Sequence, residues 1–208
     1  MREAGRLLAE LLARPDLRPI MDRLKVFDAG TYRHSLRVAR FAIRLGRADD
    51  MPEDRLTQLA VAGMLHDLGK TQLDASLLAE SGPLDDAQRQ QMRGHAAADL
   101  QVLEAFPEAH CIAPLHHEAQ GEHSYPRSGT ERREDRSDGG DDRRRPLPAW
   151  VQRAGRILAL ADRYDALISH RPYKAPWPDA EVRAQLQREM SDVAPLLDEL
   201  DPPERPPR

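Results

Sequence analysis

Apolar residues return every three or four positions along nearly the whole chain, and no useful stretch alternates apolar with polar. That spacing lines one face of a helix and leaves a strand no inner face to bury. The expectation is an all-α bundle of about six to eight helices. Aromatic residues are only 4% of the 208, so the core must come from Leu, Ala, Val, Ile and Met, which pack well between helices.

Leu7, Leu8, Leu11 and Leu12 predict a first amphipathic helix, ended at Arg14-Pro15. A second is expected from about Thr31, read as its N-cap, to Arg47, with His34, Val38, Phe41 and Leu45 inward. A third follows Met51-Pro52, carries Leu56, Leu59, Ala60, Gly63 and His66-Asp67, and stops at Gly69-Lys70. A fourth runs from about Asp85 to Ala105, with Met92, His95 and Val102 on one side. Pro107 opens a fifth that reaches His116-His117-Glu118. A sixth spans about Pro148 to Ser169, with Ala154, Ile157, Leu158, Ala161, Asp162 and Asp165 inward. A last one covers about Asp179 to Leu200, before a Pro-rich tail.

Net charge is −4 with His neutral, which excludes a general cationic surface for polymeric nucleic acid but not a local cationic pocket. No apolar run approaches the roughly 18–20 residues of a bilayer span, so no membrane insertion is expected. Glu3 and Glu10 interrupt the N-terminal apolar stretch, against a signal peptide. The one cysteine, Cys111, excludes a disulfide framework or a Cys-rich zinc site, fits a cytoplasmic setting, and is read as small apolar packing. Glu131 to Arg145 holds six Arg and six Asp or Glu in fifteen positions. Such a segment cannot bury apolar surface, and is expected to be a solvated, disordered loop or a lid whose Arg143-Arg144-Arg145 meets an anion.

The histidines are unevenly placed. His34, His66, His95 and His116-His117 sit on or near inward helical faces, joined by Asp67 and Asp162. One such histidine is ordinarily a satisfied core residue. Five with two carboxylates are different, because each buried imidazole needs partners and the core offers few. Shared metal coordination satisfies them together. Imidazole suits Fe, Mn, Zn, Cu or Ni, and carboxylate can bridge two cations. Two ions about 3.5–4 Å apart can hold a bridging hydroxide against a phosphorus centre. Without cysteine a closed structural zinc site is disfavoured. Fe or Mn is the expectation, with nothing to separate them.

In order, His34, His66-Asp67, His95, His116-His117 and Asp162 resemble the HD superfamily of metal-dependent phosphohydrolases. His66-Asp67-Leu68-Gly69-Lys70 resembles the HDxGK core of its HD-GYP branch, the cyclic di-GMP phosphodiesterases. His116-His117-Glu118 with Tyr125-Pro126 downstream does so too. Ala161-Asp162-Arg163-Tyr164-Asp165-Ala166-Leu167, then Arg171-Pro172-Tyr173-Lys174, is similar to the family's A-D-x-[FY]-D-A-L and R-P-Y-K. The resemblance covers about residues 30 to 175. It implies an HD-type helical domain over 28–200, after a helical extension over 1–27, with an insertion at 127–147 and a flexible tail at 201–208.

It also implies roles. His34, His66, Asp67, His95, His116, His117 and Asp162 would be metal ligands, Asp67 bridging. Lys70 would face the phosphate and stabilise developing charge. Arg171 and Lys174 would grip dinucleotide phosphates, although an Arg and a Lys past a helix end also simply stabilise its dipole. Asp165, one turn past Asp162, would sit beside the metals, touching substrate, or position a ligand.

There are departures. Where the family loop reads Asp-Gly-x-Gly-Tyr-Pro, this chain has Gly121-Glu122-His123-Ser124-Tyr125-Pro126, with less backbone freedom. Gly30 stands where three-metal members carry Glu, which favours two divalent ions. Asp99 replaces a usual Gly, and His123 is a competing loop ligand. His110 and His170 read as surface residues.

The expected function is hydrolysis of cyclic di-GMP to linear pGpG by a metal-bridged hydroxide. The alternatives are an HD phosphohydrolase of another nucleotide, or a non-catalytic cyclic di-GMP receptor or partner-binding module. Input is expected from a homodimer contact of the N-terminal helix or from a separate sensory partner.

Overall fold

The computed structural model describes residues 2–74, 77, 85–93, 95, 103–118, 147–169 and 175–200. These form nine α-helices and two 3-10 turns, with no strand among them. The helices are α1 (Arg2–Leu12), α2 (Arg18–Phe27), α3 (Ala29–Ala48), α4 (Glu53–Leu65), α5 (Asp86–Arg93), α6 (Pro107–His110), α7 (Leu115–Glu118), α8 (Ala149–Ile168) and α9 (Asp179–Glu189). The 3-10 turns cover Leu68–Gln72 and Ala194–Glu199.

The centre of the bundle is α4. Every residue from Leu59 to Leu65 is buried, so the C-terminal half of this helix is enclosed all round, whereas Glu53 and Asp54 at its start are exposed. It lies against α3 at close range, since a Cβ on Gly63 would come within 2.8 Å of the Ala39 Cα. α8 packs on α3, α4 and α7. Its own buried run, Ile157 to Ala161, points it into the same core. The first two helices are part of that core: Leu11, Leu17, Met21 and Leu24 are each at most 3% exposed within one continuous apolar cluster.

Several expectations change in detail. The stretch before α3 holds two helices, with Pro19 in the first turn of α2, where a missing N–H costs nothing. α3 begins at Ala29, and its cap is Asp28 rather than Thr31. The Asp28 carboxylate accepts from the Gly30 and Thr31 amides at 3.0 and 2.8 Å and from the Thr31 hydroxyl at 2.5 Å. α4 ends at Leu65, so His66-Asp67 lies in the turn beyond it. The helix expected from Pro107 to Glu118 is two short ones, because Pro114 cannot donate to the ladder and the chain tightens into i−3 bonds around it. The last helix breaks after Glu189, and Pro195 sits in the 3-10 turn that follows. Cys111 is exposed, not packed, because it lies on the outer side of the turn between α6 and α7.

The charged segment, the altered Ser124-Tyr125-Pro126 loop with His123, Asp99, His170, Arg171, Lys174 and the 201–208 tail lie outside the described residues. No helix among the described residues is long and apolar enough to cross a membrane.

Candidate metal centre

The close α3–α4 approach brings His34, in the second turn of α3, beside His66 and Asp67 at the exit of α4. The 3-10 turn that follows presents Lys70. α7 contributes His116 and His117, His95 comes from just past α5, and α8 contributes Asp162 and Asp165. His66, Asp67, His95, His116, His117 and Asp165 are buried. The His34 and Asp162 side chains are 12% and 16% exposed, so one side of the cluster stays open.

His34 Nε2 lies 3.0 Å from Asp162 Oδ1 and 3.7 Å from Asp67 Oδ2. His66 Nε2 lies 3.4 Å from Asp67 Oδ2 and 3.8 Å from Asp162 Oδ1. His95 Nε2 is 3.8 Å from the other Asp67 oxygen, Oδ1, and 3.0 Å from His117 Nε2. Asp67 thus stands between two sets of imidazoles and turns one oxygen toward each. Three overlapping triads each bring ligand atoms within 4.8 Å of one another: His34, His66, Asp67; His66, His116, Asp162; and His95, His116, His117. The Lys70 ammonium closes the Asp67 side with a 2.6 Å bond to Oδ2.

A common device aims the rings. The Nδ1 atoms of His66, His95 and His116 each face the carbonyl three residues back, those of Gly63, Met92 and Ala113. A carbonyl can only accept, so each Nδ1 carries the hydrogen and each Nε2 presents a lone pair. For His34 the same position is taken by Asp165 Oδ2 at 2.7 Å. The outcome at His66 is a wholly buried Nε2 with no hydrogen-bond partner, aimed at the cluster. Such an orphan is costly unless a cation completes it. Nitrogen and carboxylate donors without thiolate fit divalent Fe, Mn or Zn.

The electrostatics agree with that donor set. Burial holds His66 and His95 below the ordinary histidine value, pushes His116 down to about 4 and pushes His117 down to about 2. These four are therefore neutral at pH 7, the form that ligates. Burial works against the Asp67 carboxylate, but Lys70 and the surrounding imidazoles hold it well below the usual range. Burial likewise opposes charge on Asp162, and His34 outweighs it. His34 itself resists charge through burial, yet its bonds to Asp162 and Asp165 push it up to about 9.

A family model described as HD domain matches residues 20–193. The chain belongs to the HD domain family. Curated relatives include a 3'3'-cGAMP-specific phosphodiesterase of Vibrio cholerae, 31% identical over 74% of this chain and 27% of its own length. A cyclic di-GMP phosphodiesterase of Pseudomonas aeruginosa is 28% identical over 84% of this chain and 39% of its length. Another cyclic di-GMP phosphodiesterase, of Thermotoga maritima, is 29% identical over 77% and 40%. The chain spans less than half the length of these relatives. Together with the motifs they place it in the HD-GYP branch. The crystal structure of an L. monocytogenes phosphodiesterase HD domain shares the fold, with a TM-score of 0.56 and 16% identity over 88% of each chain.

This HD domain gathers His34, His66, Asp67, Lys70, His95, His116, His117 and Asp162 in one place. Asp165 stands one step behind, 0% exposed, with its oxygens engaged by His34, Arg37 and Ser169. His110 is half-buried and belongs to none of the triads. Sequence reasoning missed Arg37, which donates to Asp165 at 2.6 and 2.9 Å. Its signal was its place three residues after His34, on the same helical face. The carbonyl partners of the ring Nδ1 atoms had no residue-type signal.

Proposed function

We propose that this HD domain is a metal-dependent phosphodiesterase that opens cyclic di-GMP to linear pGpG. The observation that carries the reading is the convergence of four Nδ1-anchored imidazoles, His117 and two carboxylates on one partly open site. His34, His66, His95, His116, His117, Asp67 and Asp162 would hold two divalent ions, Fe or Mn. Held there, such ions polarise a phosphodiester and acidify water. Asp67, with Oδ2 toward His34 and His66 and Oδ1 toward His95, would be one of the residues that hold them.

The remaining work falls to the chain. Lys70 is 24% exposed beside Asp67, placed to meet a phosphate oxygen and offset charge as the ester breaks. The buried imidazoles keep bulk water from all but one side. Arg171 and Lys174 are proposed to grip the dinucleotide phosphates, on their motif alone. Asp165, with both oxygens occupied, positions His34 rather than touching substrate. A cytoplasmic setting, and input through a dimer contact or separate partner, belong to the same proposal.

A second reading, hydrolysis of 3'3'-cGAMP, is favoured by the name of the V. cholerae relative. The test is anaerobic loading of the purified protein with Fe(II) or Mn(II), addition of cyclic di-GMP, 3'3'-cGAMP or nucleotide monoesters, and separation of products. Conversion of cyclic di-GMP to pGpG, lost in Asp67→Ala, supports the proposal. Tight binding without turnover makes the domain a receptor. Cleavage confined to another nucleotide moves it to the alternative.

A further inference from the structure

His34 and Asp162 face each other between α3 and α8 with 3.0 Å between Nε2 and Oδ1. Three residues further along each helix stand Arg37 and Asp165, joined by a fork: Nε to Oδ1 at 2.6 Å and Nη2 to Oδ2 at 2.9 Å. The two pairs are consecutive rungs between the same two helices. A diagonal links them, because His34 Nδ1 reaches back to Asp165 Oδ2 at 2.7 Å. Ser169 adds a bond from its hydroxyl to Asp165 Oδ1 at 3.2 Å.

The Asp165 carboxylate is wholly buried and has no open oxygen to offer. A lone aspartate there could rotate about its last torsion and satisfy itself elsewhere. A two-point guanidinium fork fixes both oxygens in one plane. With that plane set, the His34 ring has one hydrogen-bonded orientation, Nδ1–H toward Asp165 and Nε2 toward the cluster. The other three anchored rings get this from a rigid helical carbonyl. His34 has no such carbonyl contact among its ring bonds, and the fork replaces it.

We infer that Arg37 is a positioning residue of the metal centre, acting through Asp165 to set the tautomer and aim of His34. This rests on His34 being a metal ligand. A simple interhelical ion pair would stabilise the bundle and do nothing more. The two roles differ in what they move.

The test measures metal binding by the full chain without any nucleotide, so it is independent of which substrate the enzyme takes. Mn(II) affinity is read by chelator competition for the native protein, Arg37→Met and Arg37→Lys. The His34 Nδ1–H resonance is followed by nitrogen-resolved NMR. Arg37→Met keeps the stem and loses the fork, and its affinity is expected to fall about 10–100-fold, the usual effect of losing an outer-shell partner. The Nδ1–H resonance should shift or broaden. Arg37→Lys keeps charge without the planar fork and is expected to recover only part of the affinity. Native affinity and an unchanged resonance in Arg37→Met overturn the inference, whatever its melting temperature. If Arg37→Met does not fold, native affinity in Arg37→Lys overturns it equally. A native chain that binds no Mn(II) removes both this inference and the metal centre beneath it, whereas metal binding without cyclic di-GMP cleavage removes only the proposed reaction.

Discussion

Gly155 of α8 lies so close to Leu115 of α7 that a Cβ built on it would come within 2.6 Å of the Leu115 Cδ1 and nearer still to its Cβ. Leu115 immediately precedes His116 and His117, and α7 is only four residues long. A helix that short has no stability of its own, so its place is set by what it packs against. The missing side chain at Gly155 is what lets the two histidines sit beside His66 and His95. Gly155→Ala should therefore push α7 outward. Overpacking of this kind costs about 1–3 kcal/mol, or a melting point lower by a few degrees for a chain of this size. The displacement should also weaken Mn(II) binding. A variant with unchanged melting and unchanged affinity would show that α7 is held by other contacts.

Asp67 and Lys70 are bonded to each other but should fail differently. Asp67→Ala removes an acceptor that two imidazole sets share, and metal content measured by elemental analysis should drop. Its activity loss should exceed the roughly 100-fold typical of outer-shell changes. Lys70→Met should keep its metal and lose about 10²–10³-fold in kcat, as for a lost oxyanion donor. Equal metal loss in both would leave Lys70 as a structural partner of Asp67 only.

The chelated protein should lose stability as it is acidified. His66, His95, His116 and His117 have folded values below the ordinary 6.5, so below that pH the unfolded chain binds more protons. Their contribution is intact above pH 6.5 and is lost as pH falls toward the folded values. For fully buried His116, held at about 4, the loss by pH 5 is of order 2 kcal/mol. His34 runs the other way. Its raised value of about 9 gives stability that is complete below pH 6.5 and disappears as pH climbs through 9. Melting of the EDTA-treated protein should peak between these limits. A curve flat from pH 7 to pH 5 would contradict the buried neutral histidines.

Leu24 is 0% exposed in α2 and belongs to the central cluster. Leu24→Ala should cost about 2–5 kcal/mol, as for a buried leucine elsewhere, and lower the melting of the whole domain in one transition. A separate early transition, with the main one unmoved, would instead make residues 1–27 an independent appendage.

Much of this was open to a reader of the chain alone. His34, His66-Asp67, His95, His116-His117 and Asp162 stand out because buried imidazole and carboxylate are chemically expensive, and their type and order survive without coordinates. The helical class follows from apolar spacing, a local property of the backbone period. Thr31 reads as the cap where Asp28 takes that place, and Pro114 splits a helix expected to be continuous, because each is a contest between neighbours that pattern alone cannot rank.

The tertiary structure decided the rest, and the reason is distance along the chain. Arg37 and Asp165 are 128 residues apart, and nothing in either segment names the other. The approach of α3 to α4 at Gly63, and of α7 to α8 at Gly155, depends on side chains that are absent. An absence carries no chemical label until a second helix lies against it. Only packing turns seven separate ligand candidates into three interlocked triads, with four of the five rings aimed by a partner whose identity is a carbonyl position or a distant carboxylate.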